Sequence, residues 1–290
     1  MDRKLMTLRF VCLLSISSFL FTLGGSVIGK QAPQSKSDIR RVVALTSLSA
    51  DLVANLNKQV LVGVPGTTLT NNDSRYSGLK RVSSGRNMPN IESIVSLKPD
   101  FVIGADGFHS RVLLKLNKLG VQTLALKINS LEALYSADRM LRKYILSTST
   151  LDSRLQNICP KQTSGINDSH NIQQRILILA GQSPVISPTK NSWADSLLRR
   201  NNLANATHDL SGKSPFDGYI TMSNERIMSI KADKVILIKP SDESLSLRNS
   251  LQKYLPHVKN KDVVAMKYYG LINPGSLDSI AKACEMLRKF

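Results

Sequence analysis

The side chains able to do chemistry are few, and their spacing does not suit catalysis. His109, His170, His208 and His257 are scattered, and no CxxC or compact Cys/His array occurs, so no zinc site of recognised spacing is written in the chain. GKS at 212–214 would need a glycine at position 207 to make a phosphate-binding loop, and Thr207 stands there. No GxGxxG, GxSxG or HExxH occurs either. No catalytic residue, metal site or cofactor is therefore expected. Two features keep chemical potential: a cationic loop and a repeated carboxylate.

The loop is PGTTLTNNDSRYSGLKRVSSGRNMPN, from Pro65 to Asn90. It carries Arg75, Lys80, Arg81 and Arg86 against Asp73 alone. A segment of this length is rarely a mere connection. Arginine holds carboxylate or phenolate oxygens through two parallel hydrogen bonds, so the loop suits an anionic ligand.

The repeat pairs ESIVSLKPDFVI, opening at Glu92, with ERIMSIKADKVI, opening at Glu225. Seven of the twelve aligned positions are identical. Each copy reads as a short helix feeding a buried strand, with Asp100 or Asp233 in the turn. The glutamates fall in the first helical turn, where the helix dipole favours a negative charge.

These residues need elements to carry them. RRVVALT, QVLVGV, DFVIGA and VQTLAL read as strands, alternating with helices at SLSADLVANLN, from Ile91 to Leu97 and at RVLLKLNKLG. From Ser130 to Ile158 the pattern is one helix, ~40 Å long at 1.5 Å per residue, with STST as the place for a kink. A polar loop covers Pro160 to Ile172. Alternation then resumes with RILILA, helices at Trp193–Asn202 and Asn224–Ile230, KVILI, a helix near Glu243–Tyr254, DVVAM and a last helix at Ser276–Lys289. The expected class is α/β: two lobes, each with a mainly parallel central sheet, at 30–129 and 159–290, joined by one long helix at 130–158.

Residues 1–29 read as a secretory signal. Arg3, Lys4 and Arg9 precede the apolar run Phe10–Leu23, and the small residues Val27 and Gly29 suit a signal-peptidase site. An uncleaved anchor is the alternative. Hydrophobic residues at 42% and charged residues at 21% describe a globular remainder. Of the net charge of +18, the segment carries three basic and one acidic residue, leaving +16 on the rest. Aromatic residues are only 5% and the cations are spread along the chain, which argues against a nucleic-acid partner. Cys159 and Cys284, 125 positions apart, suit either a disulfide in an oxidising compartment or two buried thiols.

RRVVALTSLSADLVANL, VLVGV, NIESIVSLKPDFVIG and LLKLNKLGVQTLALKINSLEALYSADRML together resemble the first lobe of the periplasmic substrate-binding proteins of ABC importers for ferric siderophores, haem or cobalamin. SNERIMSIKADKVILI and VVAMKYYGLINPGSLDSIAKACEML extend the resemblance to the C-terminus. It implies two lobes on a single long helix, a ligand held between them and a periplasmic location. It also implies a monomer whose partner is a membrane permease dimer, contacted through Glu92 and Glu225.

In open α/β sheets ligands bind beyond the carboxyl ends of the strands. That rule nominates Ser47, Tyr76, Arg86, Phe108, His109, Trp193 and Tyr268 as ligand-binding residues, and Phe216 and Tyr219, in GKSPFDGYI just before the second copy of the repeat, join them. Tyr76 or His109 could serve haem as an axial ligand. A single Trp counts against cobalamin, and the cationic loop puts a ferric siderophore first. A secreted α/β enzyme is the remote alternative.

Overall fold

The computed structural model describes residues 39–84, 87–147, 151–161, 173–181, 184–214, 216–239 and 262–290, all within one unit, Gln34–Phe290. The expected signal segment, Arg86, most of the loop at 160–172 and the helix near Glu243–Tyr254 lie outside the described residues.

The first sheet holds β1 (Val42–Ala44), β2 (Leu61–Val64), β3 (Lys80–Arg81), β4 (Phe101–Ala105) and β5 (Gln122–Leu126). Its order is β3-β2-β1-β4-β5 and every pairing is parallel. The second sheet has β6 (Arg175–Ala180), β7 (Ile186–Pro188), β8 (Ala204–Asn205), β9 (Tyr219–Thr221), β10 (Lys234–Lys239) and β11 (Val263–Lys267). Its order is β11-β10-β6-β7-β9, with β8 beside β6. Here β6, β8, β10 and β11 run parallel, whereas β7 is antiparallel to both β6 and β9.

Strand alternation sends neighbouring side chains to opposite faces. In β1, Val42 and Ala44 face one core while Val43, with Leu45 just past the strand, faces another. In β6, Ile176 and Ile178 divide in the same way from Leu177 and Leu179. The inner faces of both sheets share one continuous core with helices α1 (Ser47–Asn57), α5 (Leu131–Leu141), α7 (Trp193–Arg200) and α9 (Leu277–Leu287). The outer face of the first sheet is covered by α3 (Ile91–Val95) and α4 (Ser110–Lys118), and that of the second by α8 (Asn224–Ser229). A short α2 (Thr68–Asn71) starts the long loop.

The single helix expected over 130–158 is two helices, α5 and α6 (Leu151–Gln156). The amides of Lys143 and Tyr144 reach back only three residues, to the carbonyls of Met140 and Leu141, so the helix tightens and ends. The turn sends Ile145 into the shared core and sets Tyr144 against Phe101, with ring centroids 4.9 Å apart. Burial of these two side chains outweighs continued helical hydrogen bonding. After α6, Cys159 is bonded to Cys284 of α9, both fully buried, which resolves the open cysteine question in favour of a disulfide.

The repeat has a structural job in each lobe. The Asp100 carboxylate accepts the amides of Arg40 and Arg41 at 2.9 Å, and the Arg41 guanidinium donates to the carbonyls of Leu97 and Lys98. In the second lobe Asp233 accepts the amide of Arg175 at 2.7 Å, and Arg175 donates to the Lys231 carbonyl at 3.0 Å. Each first strand, the middle one of its sheet, is thereby pinned to the turn that feeds its parallel neighbour.

Candidate functional site

A cavity of about 970 Å³ opens between the two sheets. From the first lobe it takes Gly66, Thr67, Ser84, Ala105 and Leu126, each at or just beyond the carboxyl end of a parallel strand. From the second it takes Ala180 and Ile238 at the ends of β6 and β10. This is the position that sheet topology assigns to a ligand.

Its aromatic wall belongs to the second lobe: Trp193, Phe216, Tyr219, Tyr268 and Tyr269. Ser192 caps α7 by accepting the Asp195 amide, which fixes Trp193 in the first turn. The indole donates to the Gly270 carbonyl at 2.8 Å, and the Tyr219 hydroxyl donates to the Ile272 carbonyl at 2.9 Å. Both bonds anchor the turn at 268–273, so the wall is preformed. Gly270 has φ 100°, and a Cβ there would lie 2.2 Å from the Ser279 carbonyl oxygen, so only glycine fits the turn. Burial raises the Tyr219 and Tyr268 phenols above their usual range, so both stay neutral hydrogen-bonding groups.

Among the described residues two polar contacts cross the cleft. The Lys127 ammonium meets the Asp217 carboxylate at 2.7 Å, and the Asn129 side chain donates to the Asn191 carbonyl at 3.4 Å. Lys127 holds the Asp217 carboxyl below its usual range, and Asp217 holds Lys127 above its own. Among the described lining residues the charged groups are Lys127, Asp106 and Asp217, so the wall carries two carboxylates and one ammonium.

Of the residues nominated from sequence, Trp193, Phe216, Tyr219 and Tyr268 come together in this lining. Ser47, Tyr76, Phe108 and His109 stand outside it. Ser47 and Tyr76 border a separate cavity of about 200 Å³. The Ser47 hydroxyl is 2.6 Å from that of Thr67, and Tyr76 is buried, with its phenol raised by desolvation. His109 is 4% exposed, and its Nδ1 accepts the Ala105 amide at 3.0 Å. Burial lowers its pKa to about 4, so it is a neutral turn-locking residue. Phe108 points to solvent and packs edge-on against the His109 ring.

The cationic loop also differs from the expectation. Arg75 is held by Asp51 at 2.7 Å and by Asp73 at 2.6 Å. Arg81 donates to Asn71 and to the carbonyls of Thr70, Tyr76 and Leu79. Arg81 serves the loop's own architecture, and Arg75 ties the loop to α1. Asp51, 1% exposed, also accepts the Leu277 amide at 2.7 Å and so ties α1 to the start of α9. Arg154 extends the tie to Asn55 and Asp278. Sequence reading missed Asp51, Lys127 and Asp217, because only tertiary structure supplies their partners.

Glu92 and Glu225 are both exposed, in the first turns of α3 and α8. The N-caps Asn90 and Ser223 accept the amides of Ser93 and Arg226, the same arrangement twice. Among the described residues no helix is long and apolar enough to cross a membrane, and no cluster of three metal-binding side chains forms.

Residues 42–144 match the family described as periplasmic binding protein. Solved structures share the fold. A possible iron-binding, periplasmic solute-binding protein from Staphylococcus epidermidis has a TM-score of 0.67 at 17% identity, over 87% of this chain and 98% of its own. The vitamin B12 binding protein BtuF of Vibrio cholerae has a TM-score of 0.64 at 19% identity, over 87% and 97%. The heme-binding protein RhuT from Roseiflexus sp. RS-1 has a TM-score of 0.61 at 16% identity, over 87% and 98%. No curated protein sequence matches significantly.

Proposed function

We propose that this chain, with the fold of the two-lobe periplasmic binding proteins and their family signature over residues 42–144, is an extracytoplasmic solute-binding protein. It captures an iron complex or a tetrapyrrole between its lobes and hands it, unmodified, to the permease of an ABC importer. The observation that carries the reading is the cavity of about 970 Å³ at the carboxyl ends of both sheets, of a size suited to a ligand bulkier than a simple nutrient. The buried disulfide supports a place outside the cytoplasm, as does the basic and apolar start of the sequence.

The lining narrows the ligand. The composition of the cationic loop favours an anionic ferric siderophore, but Arg75 and Arg81 are committed elsewhere. The described wall favours a ligand of low net charge with apolar faces for the aromatic residues. A neutral ferric siderophore or a cobalamin meets that description better than haem with its two free carboxylates. Glu92 and Glu225, one on each lobe, are the residues we assign to permease docking.

The test is an absorbance titration of the purified protein with a neutral ferric hydroxamate, cobalamin and haem. Saturation at one equivalent by either of the first two, with the ligand recovered unchanged, supports the reading. Absence of saturable binding by all three overturns it, and turnover beyond one equivalent moves the protein to the enzymes.

A further inference from the structure

Helix α4 is amphipathic in an unusual way. Its inner face, Val112, Leu113 and Leu116, packs with Ile94 of α3 beneath the first sheet. Its outer face sets Arg111, Leu114 and Lys118 along one stripe, with Lys115 beside them. Leu114 is 59% exposed, and Leu119, at the C-terminal cap, is 62% exposed.

Helix electrostatics explains part of this. Lys115 and Lys118 lie in the last turn, where the dipole favours cations. Arg111 lies in the first turn, where the dipole opposes one, and no acidic residue accompanies it. Among the described residues none of the three cations forms an ion pair. Neither rule accounts for two leucines left in water among them. A row of cations around exposed aliphatic side chains is the composition that binds the boundary of an anionic bilayer, with the leucines entering the apolar margin and the cations meeting lipid phosphates.

We infer that the outer face of α4 is a docking face for an anionic lipid surface. Its place in the fold suits that role, because α4 packs on α3, the helix that carries Glu92. Phe108, 59% exposed, stands just ahead of the first turn of α4. The lipid contact holds the first lobe at the membrane while its carboxylate is presented to a partner there.

The test is co-sedimentation of the ligand-free protein with vesicles of equal parts phosphatidylglycerol and phosphatidylcholine, and with phosphatidylcholine vesicles. Binding to the anionic vesicles alone is expected. The Lys115→Gln, Lys118→Gln double variant should lower partitioning about 25-fold, near fivefold for each cation at the surface. Leu114→Ser with Leu119→Ser should lower it at least about threefold through lost apolar burial. Lys190→Gln with Lys213→Gln removes the same charge from exposed sites on the second lobe and should change it little. Equal losses in the two lysine variants would reduce the effect to net charge and overturn the proposal, as would no preference for anionic vesicles. Thermal melts of each variant confirm folding. Neither ligand nor importer is present, so failure here leaves the solute-binding reading untouched, and failure of the ligand titration leaves this one standing.

Discussion

Lys127 and Asp217 close an ion pair at 2.7 Å across the mouth of the cleft, each supplied by a different lobe. Their side chains are 58% and 78% exposed, so the pair contributes at most about 1 kcal/mol to stability. Its effect belongs in ligand exchange. Lys127→Gln should leave the melting temperature nearly unchanged and speed ligand dissociation, read by stopped flow. Asp217 titrates below its usual range, so its contribution is lost only as pH falls through that lowered value. Lys127 titrates above its range, so its contribution is lost only as pH rises past it. Dissociation should stay flat through neutral pH and quicken only in acid below the usual carboxylate range and in base above the usual lysine range. A rate that climbs steadily across neutral pH would contradict the pairing.

Arg75 separates a structural loop from a ligand-binding one. Its partners Asp51 and Asp73 predict that Arg75→Ala leaves ligand affinity unchanged and lowers stability. Asp51→Ala should cost more, about 3 kcal/mol, because it strips a buried carboxylate from Arg75 and from the α9 amide at once. Urea unfolding alongside ligand titration checks both. Weaker ligand binding by a fully folded Arg75→Ala protein would return the loop to the cleft.

His109 makes a pH signature in stability. Its pKa falls to about 4 in the folded chain through burial, against about 6.5 when unfolded. The unfolded state therefore takes up the proton first as pH drops. Stability should decline between about pH 6.5 and pH 4, by about 3 kcal/mol in all, and level off below. His109→Gln should flatten that interval in urea unfolding measured against pH. An unchanged slope in the variant would assign the decline to other groups.

The strands that sequence made legible are those whose burial is continuous. RILILA and KVILI are apolar on both faces because helices or a second core cover both, and their composition alone declares it. Two-residue β3 and β8 are defined only by the register of a neighbour, so no local pattern announces them. The break after Leu141 was hidden for a related reason. Its apolar spacing continues at helical period, and only the position of Phe101 shows why the chain turns at Tyr144. The cleft followed the same division. Trp193 could be placed from a strand end and an N-cap, whereas the destination of a guanidinium or a lysine is written in residues tens of positions away.

Glu92 and Glu225 carry the prediction that joins the repeat to transport. Both are exposed and both stand on capped first turns, so replacing them removes little that holds the fold. Glu92→Ala with Glu225→Ala should leave ligand affinity and melting temperature nearly unchanged. Uptake through the cognate importer in vesicles should fall sharply, because exposed pairs worth about 0.2–1 kcal/mol each must engage together to set the register. Intact uptake by the double variant would remove the docking role.

The bond between Cys159 and Cys284 closes a covalent ring around the second lobe, since the chain between them includes every described strand of the second sheet. Closing a loop of that length removes about 5 kcal/mol of conformational freedom from the unfolded chain in the entropy account. It also changes what damage means. A protease that nicks a surface loop between the two cysteines leaves one molecule, the two pieces separable only after reduction. A single cut in this lobe therefore frees no fragment.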